Sequence, residues 1–336
     1  MKFIDLFSGV GGFTRGLELA GHECVGHCEL DKFTEASYRS MHTITEKQRE
    51  YLLSLPLKQR QKEILKEEYL NGEWYESDIT KARNIPRADL WTFGAPCQDF
   101  SIAGRRAGLD GGRSSLVREV FRLLGERQKE DRPEWIIYEN VRGMLSSNRG
   151  RDYLEILASL DELGYDVEWQ NINSKWFVPQ NRERVYTIGH LRGRGGHKIL
   201  PIEGARGENH LKQLVQGSKI ELYAFLTPRV LGGIGEKNSN NGTQYFYQNR
   251  IYDTKIATAI SSSFQPYYLD NASRVRKLTP KERFRLQGWA DEYFEKAKQF
   301  NSDSQLYKQA GNGVTVDVVK AIGKKLKEQE NEKAEN

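Results

Sequence analysis

Cys97 stands directly behind Pro96 in GAPCQDFS, after the apolar run ADLWTFG. A thiol at the carboxyl end of a buried strand lies at the edge where open α/β sheets carry their sites, and its thiolate is a nucleophile once nearby positive charge favours it. A lone cysteine is more often an inert buried side chain, so its neighbours decide. Glu139 closes a second apolar run, EWIIYEN, where burial pushes a carboxyl toward carrying or sharing a proton near neutral pH. Arg182 and Arg184, two apart in QNRERV, share a face if that segment is extended, and guanidinium groups there can hold a phosphate or a carbonyl oxygen. Nucleophile, acid and anion holder together form a constellation suited to covalent catalysis.

A second cluster suits a nucleotide-like ligand. In DLFSGVGG, Gly9, Gly11 and Gly12 let backbone N–H groups and a helix start approach a ligand closely. Thr14 occupies the third-glycine position of G-x-G-x-x-G, so the loop by itself does not specify a dinucleotide. Glu29, at the end of the next strand, is placed to bind the two hydroxyls of a ribose, and Asp78 in ESDIT can face an adenine amino group. Adenosine without a pyrophosphate fits these groups; a nicotinamide oxidoreductase and a methyltransferase share them, and the cysteine constellation favours the latter.

Strand and helix signals alternate over the first 190 residues to position these groups. KFIDLF, ECVGHCEL, DLWTFG, EWIIYEN and ERVYTIGH read as strands, and FTRGLELAG, SLVREVFRLLGERQ and RDYLEILASLDELG as helices. Such alternation predicts an α/β fold with a mainly parallel sheet covered by helices. Residues 44–72 break the rhythm: a capping box at Thr45 and Gln48, Pro56 as a break and Asn71-Gly72 as a stop predict a charged surface hairpin of helices without nameable chemistry. Beyond Arg192 the chain becomes Gly- and Asn-rich and then aromatic, at Tyr245, Phe246, Tyr247, Phe264, Tyr267 and Tyr268, which fits short strands in a second, smaller domain. A helix resumes with Thr279 as its cap and Pro280 in its first position, and KKLKEQENEKAEN reads as a polar tail that frays.

Composition sets the outer bounds. The 336 residues carry a net charge of +5, compatible with a polyanionic partner without requiring one. No run of 18 apolar residues and no signal sequence is legible, so a cytosolic protein is expected. Three cysteines make no disulfide framework, and Cys24 and Cys28 with His22 and His27 lack a second ligand pair at zinc spacing, so they read as strand residues and no metal is expected.

The segments DLFSGVGGFTRGLE, GAPCQDFSIAG, ENVRGM, QNRERV, RKLTPKERFRLQGW and GNGVTVDVV resemble, in order, the motif series of the DNA cytosine carbon-5 methyltransferases of bacterial restriction–modification type. The resemblance covers nearly the whole chain apart from 44–72 and 191–271. It implies a Rossmann-like, S-adenosylmethionine-dependent methyltransferase with a mixed sheet flanked by helices and a small mainly-β target-recognition domain. The layout it implies is a catalytic and cofactor-binding domain at 1–190, target recognition at 191–271, a return to the catalytic domain at 272–325 and a tail at 326–336.

Carried over residue by residue, the resemblance makes Cys97 the nucleophile toward carbon 6 of cytosine and Glu139 the contact to N3 and the exocyclic amine. Arg184 becomes the contact to the cytosine carbonyl, with Arg182 as its support. Phe7 would lie against adenine, with Gly9, Val10, Gly11 and Gly12 near the methionine portion, Glu29 on the ribose and Asp78 on the adenine amine. Leu30, Ile79, Gly94, Pro96, Leu116, Asn312 and Val314 complete the cofactor set; Leu30 stands where relatives often have an aromatic. Gln98, Ser101, Ala103, Arg105, Arg106 and Arg113 would meet DNA from a mobile loop, SIAGRRAGLDGGRSS, as the target base is flipped out of the duplex. IATAISSS only loosely matches the family's Thr-Leu marker. The implied partners are double-stranded DNA and a restriction endonuclease for the same site, with a monomeric enzyme in a bacterial cytoplasm. A tRNA methyltransferase and a non-catalytic DNA-binding relative are the alternatives.

Overall fold

The computed structural model describes residues 1–95, 116–196, 198–203, 229–233, 250–253, 257–262, 267–269 and 275–335. Its elements divide into two units, one of 1–172, 183–202 and 318–336, the other of 173–182 and 203–317.

In the first unit, the apolar runs become β1 (Lys2–Leu6), β2 (Glu23–Cys28), β3 (Trp74–Glu76), β4 (Leu90–Phe93), β5 (Trp135–Val141), β6 (Tyr165–Asn173) and, after the two-residue β7 (Gln180–Asn181) of the other unit, β8 (Glu183–Leu191). They form one seven-stranded sheet in the order β3-β2-β1-β4-β5-β8-β6. The first five of that order run parallel, whereas β8 is antiparallel to β5, so the sheet is mixed. Strand β6 was not anticipated from the sequence.

Helices α1 (Gly12–Glu18), α2 (Lys32–His42), α3 (Glu46–Ser54), α4 (Leu57–Glu63), α5 (Leu116–Gly125) and α6 (Arg151–Glu162) connect and flank these strands. Helix α5 buries Val117, Val120, Leu123 and Leu124, one stripe at helical spacing, in a cluster with Trp91, Phe93, Ile136, Tyr138, Ile156 and Leu160. Burying each such large side chain contributes about 1.5–3 kcal/mol, which is what fixes the strand ends that carry the site. The 44–72 stretch is the expected pair of short helices, with the Thr45–Gln48 capping box formed.

The second unit holds β9 (Arg229–Gly233), β10 (Arg250–Asp253), β12 (Tyr267–Leu269) and β13 (Val275–Lys277) in a four-stranded sheet ordered β13-β12-β10-β9, while β11 (Ala257–Thr258) pairs with β7. Helices α7 (Pro280–Leu286), α8 (Asp291–Lys298) and α9 (Asp303–Asn312) follow, α7 opening on a Thr279–Glu282 capping box with Pro280 in its first turn.

The expected tail does not fray. Helix α10 runs unbroken over Val316–Glu335, because Leu326 is fully buried and Lys325–Glu328 and Lys327–Glu330 pairs, at 3.0 and 2.7 Å, line its exposed side. Glu330 also meets the Met1 ammonium at 3.0 Å, and Lys333 pairs with Glu134. Among the described residues no helix is long and apolar enough to cross a membrane.

Candidate active site

The antiparallel register of β5 and β8 sets Glu139 opposite Tyr186, so Arg184, two residues along β8, is its diagonal neighbour on the same sheet face. Arg184 Nε lies 3.0 Å from Glu139 Oε1, and both side chains are largely buried. The guanidinium does not aim its hydrogen at that oxygen: Oε1 is buried and accepts no hydrogen bond among the described residues, while Arg184 Nη1 donates to the Glu183 carbonyl. A buried carboxylate oxygen left without a donor is costly, and such an atom marks a place completed by a ligand's N–H. Gly94, just past β4, borders it: a Cβ there would lie 3.4 Å from Glu139 Oε2 and 3.9 Å from Phe13 of α1. Asn140 Oδ1 accepts from Val141 N at 2.7 Å and braces the strand end.

At the same sheet edge, the loop after β1 contains Phe7 at φ 58°, a left-handed conformation that a bulky residue rarely adopts. Gly9 shares it, and a Cβ built on Gly9 would meet nothing within 4 Å, so there is open room beside the loop. Glu29, directly after β2, ties the loop in place: Oε2 accepts from Gly9 N at 2.9 Å and Oε1 from Asp31 N at 2.8 Å. Burial raises its pKa to about 7 against those two backbone donors. Leu30 beside it is 74% exposed, an apolar surface at the edge. Val10 is buried, and Phe7 and Leu116 pack partly against the core. These groups, a largely buried carboxylate among apolar surface and open loop backbone, fit a nucleoside with a charged tail.

Asp78 and Ile79 take different surroundings. Asp78 Oδ1 caps the short turn at 79–81, accepting from Thr80 N and Oγ1 at 3.1 and 2.8 Å, and Oδ2 lies 3.4 Å from Lys81. The Thr80 hydrogen bonds hold its pKa below the ordinary value. Ile79 sends its side chain into the core.

Sequence reasoning passed over a polar stripe on α2. Glu35, Tyr38, Arg39 and His42, at helical spacing i, i+3, i+4, i+7, all point inward. Tyr38 OH bonds Glu73 Oε1 at 2.8 Å and Thr14 Oγ1 at 3.2 Å, and Thr14 in turn donates to the fully buried Asp5 Oδ2 at 2.9 Å. Thr14 thus has a bonding task at the position where the dinucleotide pattern wants glycine. His27, expected as a plain strand residue, sits between Glu73 and Glu35 at 2.8 and 2.9 Å, and although burial opposes it, those carboxylates raise its pKa to about 9. The signal was present in the spacing of E, Y, R and H in EASYRSMH.

In the second unit, Arg182 is buried and braces backbone: Nη1 donates to the Ile260 carbonyl at 3.0 Å and Nη2 to those of Gly313 at 2.9 Å and Gly311 at 3.4 Å. Arg182 and Arg184 therefore have separate partners. Gln180 bonds Ile260 N and the Leu286 carbonyl, and Gln287 bonds the Ala310 and Gly313 carbonyls. Three motifs distant in sequence, QNRERV, RLQGW and GNGV, are knitted together by these amides. Asn312, at the end of α9, is exposed and Val314 is buried. Pro96, Cys97, Gln98, Ser101, Ala103, Arg105, Arg106 and Arg113 lie outside the described residues.

A family model described as C-5 cytosine-specific DNA methylase matches residues 1–328. The chain is 30% identical over 341 residues to the Type II methyltransferase M.DsaV of Dactylococcopsis salina, covering 97% of this chain and 86% of that protein. It is likewise 30% identical over 356 residues to M.HpaII of Haemophilus parainfluenzae, covering 97% and 89%. Among solved structures, the S. pombe Dnmt2 methyltransferase superposes with a TM-score of 0.68 at 20% identity, covering 98% of this chain and 99% of that one, a likeness of fold.

Proposed function

Because the chain belongs to the C-5 cytosine-specific DNA methylase family, and so uses S-adenosylmethionine to methylate carbon 5 of cytosine in DNA, we propose that Cys97, Glu139 and Arg184 carry the reaction and Arg182 braces it. The observation that carries this assignment is the buried Glu139 carboxylate: among the described residues Oε1 is ion-paired with Arg184 but accepts no hydrogen bond, and Oε2 faces Gly94, three residues before Cys97.

Cys97 adds as a thiolate to carbon 6 of the cytosine, which places electron density on carbon 5. Glu139 receives the exocyclic amine and N3, and Arg184 the carbonyl oxygen, so the ring's developing charge meets fixed partners. Once carbon 5 carries the methyl group, loss of its proton restores the ring and expels the Cys97 thiolate from carbon 6. Bound S-adenosylmethionine supplies an electrophilic methyl group. Phe7 and Leu30 offer apolar surface to its adenine, Glu29 accepts from its ribose hydroxyls, and the Gly9–Gly12 backbone approaches its methionine portion. Asp78, Ile79, Gly94, Pro96, Leu116, Asn312 and Val314 complete that set, Ile79 through its backbone because its side chain is in the core.

A base inside a duplex is out of reach, so the target cytosine is extruded, with Gln98, Ser101, Ala103, Arg105, Arg106 and Arg113 meeting the DNA around it. Residues 191–271 read the surrounding sequence. The enzyme acts as a monomer in a bacterial cytoplasm, paired with an endonuclease for the same site.

Bisulfite sequencing of a mixed-sequence plasmid after incubation with the protein and S-adenosylmethionine tests this. Protected cytosines confined to one short motif are expected, and Cys97→Ala should lose them while keeping duplex binding. Methylation by Cys97→Ala at the wild-type level would overturn the assignment.

A further inference from the structure

We infer that His42 is a positioning residue for the cofactor loop, held there by the 44–72 helical stretch. The inference rests on the reading of residues 7–12 and 29 as the S-adenosylmethionine site.

His42 is the last residue of α2, and its Nε2 lies 3.0 Å from the Val10 carbonyl in the middle of the loop. Burial lowers the imidazole's pKa to about 4, so the ring is neutral and Nε2–H is the donor. The ring also fills the space beneath Gly11, which sits at φ 84°: a Cβ there would fall 2.4 Å from His42 Nε2 and 3.0 Å from the Tyr38 ring. One imidazole therefore both pulls on the loop and limits how far it can settle, which sets the direction of the N–H groups that follow Val10.

The ring has firm backing. Tyr38 packs against it at 4.8 Å between ring centroids and stacks on His27 at 3.8 Å. From the other side, Arg39 Nη1 donates to the Ile64 and Lys66 carbonyls at 3.1 and 2.7 Å, and Thr43 Oγ1 donates to the Tyr69 carbonyl at 2.7 Å. Residues 64–69 belong to the stretch that breaks the α/β rhythm and carries no chemistry of its own. Its contacts are spent on the end of α2 from which His42 reaches the loop. A bracket of this kind changes how well the loop fits the cofactor and leaves the methyl-transfer step alone, since none of its side chains touches Glu139 or Arg184.

The experiment is calorimetric titration with S-adenosylhomocysteine together with steady-state kinetics for wild type, His42→Ala, His42→Gln and Glu29→Ala. His42→Ala should raise the Kd for S-adenosylhomocysteine and the KM for S-adenosylmethionine about ten-fold, with kcat within two-fold, as loss of one hydrogen bond implies. His42→Gln, which keeps an N–H donor, should recover most of the affinity, and Gly11→Ala should cost less in the His42→Ala background than in wild type. An unchanged Kd in His42→Ala, or a fall in kcat at constant Kd, overturns the inference. If Glu29→Ala also leaves the Kd unchanged, the cofactor-site reading itself has failed; if Glu29→Ala weakens binding and His42→Ala does not, only the positioning role falls. Should His42→Ala not fold, Thr43→Val, which cuts the tie to Tyr69, must raise the Kd by two-fold or more, and an unchanged value is equally fatal.

Discussion

Replacing Arg182 by Ala separates a bracing arginine from one that touches substrate. In the structure its guanidinium satisfies the carbonyls of Ile260 and Gly313 at 3.0 and 2.9 Å and, more weakly, that of Gly311 at 3.4 Å. Truncation leaves the buried Ile260 carbonyl without this donor and removes the marginal bond to Gly311, at about 1–3 kcal/mol for a buried acceptor left unpaired, while the Gly313 carbonyl keeps Gln287 Nε2 at 3.0 Å and water entering the vacated space offsets part of the loss. A net loss of about 2 kcal/mol follows, the scale of one buried acceptor left without its charged donor. Arg182→Lys should recover about a third of it, because an ammonium can reach one carbonyl well but lacks the guanidinium's planar fork. Urea unfolding followed by tryptophan fluorescence reads the midpoint, and methyl transfer measured well below that midpoint reads activity. Arg182→Ala should lower the midpoint clearly while the residual folded fraction keeps substantial activity. Wild-type stability with activity lost a hundred-fold or more would refute the bracing role and put Arg182 on the substrate.

Glu139→Gln should lower kcat by about two to three orders of magnitude, the scale seen when one charge-stabilising contact is removed, with the unfolding midpoint nearly unchanged; a wild-type rate would detach Glu139 from the chemistry. Glu29 has its pKa raised to about 7, and ribose hydroxyls donate best to the ionised carboxylate, so cofactor affinity should fall as pH drops through 7, by up to about ten-fold per unit, and Glu29→Gln should flatten that profile in calorimetric titrations. Gly311→Ala should be poorly folded, because its Cβ would fall 2.3 Å from Ser262 N and 2.4 Å from the Ser261 carbonyl carbon, backbone atoms that cannot swing aside; soluble yield and thermal unfolding check this.

The central strands were legible because each is a short apolar run buried on both faces, and their ends place Glu29, Gly94 and Glu139 at the carboxyl edge. Strand β6 was not, since YDVEWQNIN occupies the sheet's edge and buries little beyond its two ends, which blurs its alternation. The α2 stripe escaped for a related reason: a buried face made of Glu, Tyr, Arg and His looks like a solvated face to any hydropathy pattern, and its partner Glu73 lies 35 residues from Tyr38. For Arg182 and Arg184, spacing alone put both on one face. Extended structure is interrupted between Asn181 and Glu183, and Arg182 finds acceptors 78 and 131 residues away that no local pattern announces. The last turns of the C-terminal helix were hidden by their polarity, which disguised both the helix-forming residues and Leu326, buried in line with Val318, Val319 and Ile322 before it.

The pairing of the first residue with the last helix has a bearing on how the protein is made. Met1 meets Glu330, His22 bonds the Gly323 carbonyl at 2.9 Å, and Gly323 lies so close to Ala20 and Leu17 that a Cβ there would collide with them. Strand β1 and helix α1 are translated about 300 residues ahead of the surface that covers them, roughly 20 s to a minute earlier at ordinary elongation rates. The nascent chain must keep its earliest apolar segments soluble through that interval, so the first unit can close only after the entire second unit has been synthesised.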